Sequence, residues 1–137
     1  MVVADTGAVY ALIDRDDVWH KRVTEWWQSN RGPIVLPVTV LPEVSWLLRT
    51  RIGAHAERAF AAALAEGEFV VEPLETAADL TRIAELLEEF ADLPAGFVDA
   101  SVVAVAERLG TRTVLTTDRR HFTVLRTRQG KALRLVP

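Results

Sequence analysis

The sequence predicts an α/β protein built on a mostly parallel, covered sheet. Short apolar runs (Val2-Val3-Ala4, Ile34-Val35-Leu36, Phe69-Val70-Val71 and Thr113-Val114-Leu115) recur along the chain with helical segments between them. Apart from Thr113, each run is apolar instead of alternating, which marks a strand covered on both faces. The chain has 137 residues, 50% hydrophobic and 26% charged, which suits one globular domain with a real core.

The elements follow in order. Val2–Ala4 reads as a buried strand ending at Asp5-Thr6-Gly7, with a helix over 7–14. A second helix over 17–29 carries Trp19, Val23 and Trp26 on one side, with Asp16 or Asp17 to cap its start. Gly32-Pro33 and Pro37 fence the second strand. Pro42, a favoured first-turn residue, opens a helix that Gly53 ends near Ile52, and an Ala-rich helix over 54–66 stops at Gly67. Phe69–Val71 is a third strand. Residues 76–90 place Ala77, Leu80, Ile83, Ala84 and Leu87 at helical spacing, and after Pro94 and Gly96 a helix runs from about 97 to 109. Thr113–Leu115 is the fourth strand. Two further short strands are expected near 123–126 and 132–136, around the turn at Gln129-Gly130. There is no repeat, low-complexity segment or interdomain linker, so residues 1–137 read as a single domain.

Bulk properties narrow the function. No apolar run is long enough to span a bilayer, and the start lacks the basic region of a signal peptide, so a cytoplasmic protein is expected. Without cysteine there is no disulfide framework and no cysteine-bearing zinc site. The net charge of −3 is unevenly spread. Residues 1–107 hold 8 basic and 18 acidic side chains, a balance of −10, whereas residues 108–137 hold 8 basic ones and one acid, +7. Such a split suits a polyanionic partner, or a basic surface that touches acidic helices of the same fold. Within it Arg112, Arg119 and Arg120 are candidates to hold phosphate.

Four acids carry the chemical reading. Asp5 and Asp118 each follow a strand, at the end of the sheet where α/β sites form, though either would also serve as a helix cap. Asp99 shares a face with Val102, Val103 and Ala106 on a helix apolar nearly all round, with Ser101 and Arg108 opposite. A buried carboxylate there needs an arginine, hydrogen bonds or a metal ion. Glu43 lies in a first helical turn, which the helix dipole alone explains. Together, two acids at strand ends and two at helix starts can meet in one pocket, where mutual repulsion is relieved by a hard divalent cation such as magnesium. Such an ion activates water against a phosphodiester. Thr6 and Thr116 are hydroxyl neighbours suited to hold ligands or waters. His20 and His55 read as helix-surface residues, and His121 lies three residues after Asp118, within possible reach of a phosphate. No Walker loop and no G-x-G-x-x-G is present.

Asp5-Thr6 after a strand, Pro42-Glu43 opening a helix, Gly96-Phe97-Val98-Asp99-Ala100, and Thr116-Thr117-Asp118-Arg119-Arg120-His121-Phe122 resemble the PIN-domain proteins. More narrowly, they resemble the VapC toxins of bacterial toxin–antitoxin pairs. The likeness covers essentially the whole chain, with no acid of the pattern missing. It implies a three-layer α/β/α sandwich and a magnesium- or manganese-dependent endoribonuclease acting on structured RNA, transfer or ribosomal. It further implies Asp5, Glu43, Asp99 and Asp118 as the catalytic set, with Asp5, Asp99 and Asp118 nearest the metal. It also implies a homodimer and a VapB-type antitoxin that wraps along the toxin, with Trp19, Trp26, Trp27 and Trp46 as candidate anchors. The alternatives are a non-catalytic PIN module that binds metal or RNA and acts through partners, and an aspartate-nucleophile phosphatase. The latter is disfavoured because the expected second aspartate is Gly7.

Overall fold

A computed structural model describes every residue from Met1 to Pro137. Five parallel strands, β1 (Val2–Ala4), β2 (Ile34–Pro37), β3 (Val70–Glu72), β4 (Thr113–Leu115) and β5 (Arg134–Val136), form one sheet in the order β3-β2-β1-β4-β5. The central strands β1 and β2 are wholly buried, as their unbroken apolar sequences require; β4 is buried except at Thr113, and the edge strands β3 and β5 meet solvent. Strand order reverses at β1. The crevice of such a sheet opens at the carboxyl ends of the two strands beside that reversal, here β1 and β4.

Helices α1 (Thr6–Ile13), α2 (His20–Ser29), α3 (Val40–Arg51) and α4 (Ala54–Glu66) pack on one another as one layer. The other layer is a π-helical turn (Thr76–Leu80) running into α5 (Thr81–Glu89), packed on α6 (Phe97–Arg108). Right-handed crossovers put the two groups on opposite faces, because the chain winds outward through β2 and β3 and then returns to the far side of β1. Val9, Val23, Val44 and Leu48 fill one side of the core, and Ile83, Leu86, Val102 and Val105 fill the other.

Three local expectations are corrected. The strand near 123–126 is absent. Asp118 caps a one-turn helix, α7 (Arg119–Phe122), and Phe122 and Leu125, three residues apart, bury the same side of the chain. Only an isolated antiparallel bridge, Arg126 to Ala132, remains there. The buried face of α5 is also turned from the apolar stripe. Leu80 and Leu87 are exposed, while Asp79, Arg82, Ile83 and Leu86 face α6. Charge pairing sets this rotation. Arg108 meets Asp79 at 3.0 Å and Glu72 at 2.8 Å, and Arg82 meets Glu107 at 2.7 Å. The third concerns His20, whose Nδ1 lies 2.8 Å from the carbonyl of Ala11 and joins α2 to α1.

Candidate active site

Asp5 extends the β1–β4 pairing by one residue, donating its N–H to Leu115 at 3.0 Å, and then turns into α1. Its Oδ1 accepts the N–H of Ala8 at 3.0 Å, so the residue caps α1 while facing the crevice. Its Oδ2 accepts the hydroxyl of Thr116, which is fully buried. Burial pushes the Asp5 carboxyl up to about 7. The bonds from Thr116 and Ala8 work against that rise, and the charges of Asp99 and Asp118 add to it. The approach of α1 to the β4–α7 loop leaves no room at Gly7, where a Cβ would lie 2.6 Å from Oγ1 of Thr117.

Asp118 comes from the other strand end. Its N–H donates to Oγ1 of Thr116 at 2.8 Å, so one hydroxyl group holds both acids. Oδ1 of Asp118 caps α7 through the N–H of His121 at 3.0 Å, and Oδ2 lies 2.6 Å from Nδ1 of the same residue. Asp99 stands in the first turn of α6, half-buried, above a helix whose residues from Ala100 to Ala106 are all buried. Its carboxyl is raised, first by burial and then by the charge of Asp118, with Glu43 adding a smaller push. The buried-arginine explanation of Asp99 does not hold, because Arg108 and Arg82 spend their charges on Asp79 and Glu107.

Glu43 lies in the first turn of α3, on the exposed rim, and its Oε1 accepts the hydroxyl of Thr6 at 2.6 Å. That helix starts two residues before Pro42, whose missing N–H falls where no helical acceptor exists. Thr39 joins the layers by a 2.5 Å hydroxyl contact with Ser101, which brings the starts of α3 and α6 together.

The structure thus gathers Asp5, Glu43, Asp99 and Asp118, with Thr6 and Thr116 as their hydroxyl partners. One ligand atom each from Asp99, Asp118 and His121 lies within 4.8 Å of the others. Asp5 stands outside that trio, both oxygens already hydrogen-bonded. Two carboxylates at this spacing suit a divalent cation, whose charge would offset the mutual repulsion that helps raise the Asp99 carboxyl. Of the basic candidates, Arg119 and Arg120 follow Asp118 at this edge. Arg112 precedes β4 at the opposite end of the sheet and binds the carbonyl of Ala132. Two of the eight basic residues of the tail also pair internally, since Arg108 and Arg128 meet acids of the β3–α5 region. His121 is the member that spacing alone underrated. The i, i+3 relation to a capping aspartate was the available signal.

Acids gathered at the switch point of a parallel sheet suit a nuclease that works with a divalent cation. A PIN-domain family model matches residues 2–126. Ribonuclease VapC26 of Mycobacterium tuberculosis is 34% identical over 136 residues, which span 99% of this chain and 100% of that protein. Among solved structures, Mycobacterium tuberculosis VapC20, a sarcin–ricin loop cleaving toxin, superposes with a TM-score of 0.77 at 26% identity, over 83% of this chain and 87% of the other. The DNA-bound VapBC complex of Salmonella typhimurium shares the fold, with a TM-score of 0.71 at 16% identity, over 98% and 97%. The chain belongs to the PIN-domain family as a VapC-type ribonuclease.

Proposed function

We propose that this chain is the toxin of a toxin–antitoxin pair and cuts structured RNA, transfer or ribosomal, with magnesium held by Asp5, Asp99 and Asp118. Manganese is the expected substitute. The observation that supports this most is the gathering of four acids, Asp5 near Asp99 and Asp118 and Glu43 near Asp99, none of which forms an ion pair with an arginine. The relation to a ribonuclease and to a sarcin–ricin loop cleaving toxin favours RNA as the polymer.

In this reading Asp99 and Asp118 hold the cation directly. Asp5, behind them, has a carboxyl that burial pushes up to about 7; a cation there would favour its ionised form and could draw on it for a further oxygen. A bound divalent cation supplies Lewis acidity to a phosphodiester and lowers the pKa of a water. Glu43 keeps one oxygen clear of Thr6 and stands on the open rim, where it would serve to accept a proton from an attacking water. Thr6 and Thr116 keep Glu43, Asp5 and Asp118 in place. Arg119 and Arg120 meet the RNA backbone beside the site.

The partner is a VapB-type antitoxin, and Trp46, 64% exposed on α3, is its best anchor among the four tryptophans. Trp26 and Trp27 pack against the core, and Trp19 lies under Arg22 and Arg119. No helix is long and apolar enough to cross a membrane. The reading places one nuclease domain, residues 1–137, in the cytoplasm as a homodimer that becomes a heteromer with its antitoxin. The test incubates antitoxin-free protein with total bacterial RNA under magnesium, manganese or EDTA, beside Asp99→Asn. Discrete fragments that need metal and vanish in the variant are expected. Intact RNA in every pool with folded protein would leave a non-catalytic binding module.

A further inference from the structure

We propose that His121 is a positioning residue of the active site, whose ring fixes the carboxylate of Asp118 in the orientation that faces Asp99. This rests on the reading of Asp99 and Asp118 as the groups that hold the cation.

Both oxygens of Asp118 are held by one residue. The backbone N–H of His121 donates to Oδ1 at 3.0 Å, and ring Nδ1 lies 2.6 Å from Oδ2. Rotation of the carboxylate breaks one bond or the other. The ring is itself held. Its side chain is only 18% exposed, and the next residue, Phe122, is fully buried and pins the same helical turn.

The other ring nitrogen assigns the proton. Nε2 of His121 is buried with no hydrogen-bond partner. A proton there would be a buried donor without an acceptor, a larger penalty than a bare lone pair beside a satisfied Nδ1–H. The proton therefore belongs on Nδ1, and His121 donates to Asp118. Each carboxylate oxygen can accept more than one bond, so Asp118 keeps lone pairs for a cation after taking both of these. Neither nitrogen is open to ligate: Nδ1 is engaged by Asp118 and Nε2 is covered. His121 thus acts through Asp118, as an outer partner that sets the angle of a ligand.

The test is binding of Mn²⁺ alone to the full chain, followed by loss of the free-ion electron paramagnetic resonance signal, with a melting curve for each variant. Wild type should bind, and Asp99→Asn should lose binding. His121→Leu should bind about 10- to 100-fold more weakly, the usual effect of removing an outer-shell partner. His121→Asn, whose amide N–H can take the place of Nδ1–H, should stay within about threefold. In the metal-free protein, ¹⁵N shifts should report a pyrrole-type Nδ1 and a pyridine-type Nε2. Wild-type affinity in folded His121→Leu, with Asp99→Asn still defective, would overturn the positioning role and leave the nuclease reading standing. Failure of wild type to bind Mn²⁺ would overturn both. Asparagine as weak as leucine would overturn the donor assignment, and strong ¹⁴N modulation in the spin echo of the Mn²⁺-loaded protein would make the ring a direct ligand instead.

Discussion

Thr116 donates its hydroxyl to Oδ2 of Asp5 across 111 positions of sequence, and its own Oγ1 accepts the N–H of Asp118. The register of β1 against β4, with Ala4 opposite Leu115, makes this possible: the residue after each strand lands beside the other. Thr116→Val keeps the shape and removes both bonds. It leaves a buried carboxylate short of a donor and an N–H without an acceptor, at about 1–3 kcal/mol of stability each way the loss is counted. RNA cleavage should fall at least about tenfold, since one such misplaced pair is a typical outer-shell loss. Thr116→Ser, which keeps the hydroxyl, should recover most of the rate in the same single-turnover assay.

Asp5 sets a pH dependence. Its carboxyl titrates near 7 in the folded chain, far above the ordinary value of 3.8, so the folded state holds that proton more tightly than the unfolded one. The Asp5 contribution to stability is therefore intact below pH 4 and is lost as pH rises through about 7. Asp5→Asn carries no such charge. In metal-free protein it should melt higher than wild type at pH 8, by up to about 4 kcal/mol at the limit of the shift, and the gap should close toward pH 4. A melting difference that does not vary with pH would exclude this account of the buried acid.

Metal should reverse that penalty. Mg²⁺ or Mn²⁺ added at pH 8 should raise the melting temperature of wild type by mass action, and the gain should grow with ion concentration. Asp118→Asn should lose most of the response and cleave at least about a thousandfold more slowly, the range that loss of a principal electrostatic contributor produces. An equal melting response in wild type and variant would place the ion elsewhere.

Arg108 and Asp79 make a separate prediction about stability. Asp79 is only 1% exposed and meets Arg108 at 3.0 Å, far from the acids of the crevice. Arg108→Ala leaves that carboxylate buried without its cation, which should cost about 3–5 kcal/mol in urea unfolding. Cleavage per folded molecule should be unchanged. A stability loss below about 1 kcal/mol would mean that Glu75 N–H and solvent suffice for Asp79.

The basic residues divide by their place in the sheet. Arg119→Ala and Arg120→Ala should each weaken RNA binding and reduce the salt dependence by about one unit of slope, as loss of one phosphate contact does. Arg112→Ala, at the amino end of β4, should leave both quantities as they are. Equal effects of all three would show that RNA covers both ends of the sheet.

Much of this was legible beforehand. Unbroken apolar runs marked β1 and β2 because a strand buried on both faces has no polar side to show, and β4 departs from this only at Thr113. The acids after β1 and β4 stood out because the ends of such strands open on the crevice. Asp99 stood out because the rest of its helix is apolar. The stripe on α5 misled, since side-chain spacing says which residues share a face and nothing of which face the protein covers. Asp79 and Arg82 are buried with partners on α6, 29 and 25 residues away, that no local window contains.

The sequence by itself determined the class of fold, the order of its elements and the four acids, because these depend on periodicity and on residues adjacent in the chain. Tertiary structure decided how these acids are arranged. It put Asp5 behind Asp99 and Asp118 with both oxygens taken, joined Asp5 to Asp118 through Thr116, turned His121 onto Asp118, and carried Arg112 to the far end of the sheet. These relations depend on strand register and on the rotation of each helix about its axis. Both are set by packing between distant segments, and packing energy is a property of the assembled core.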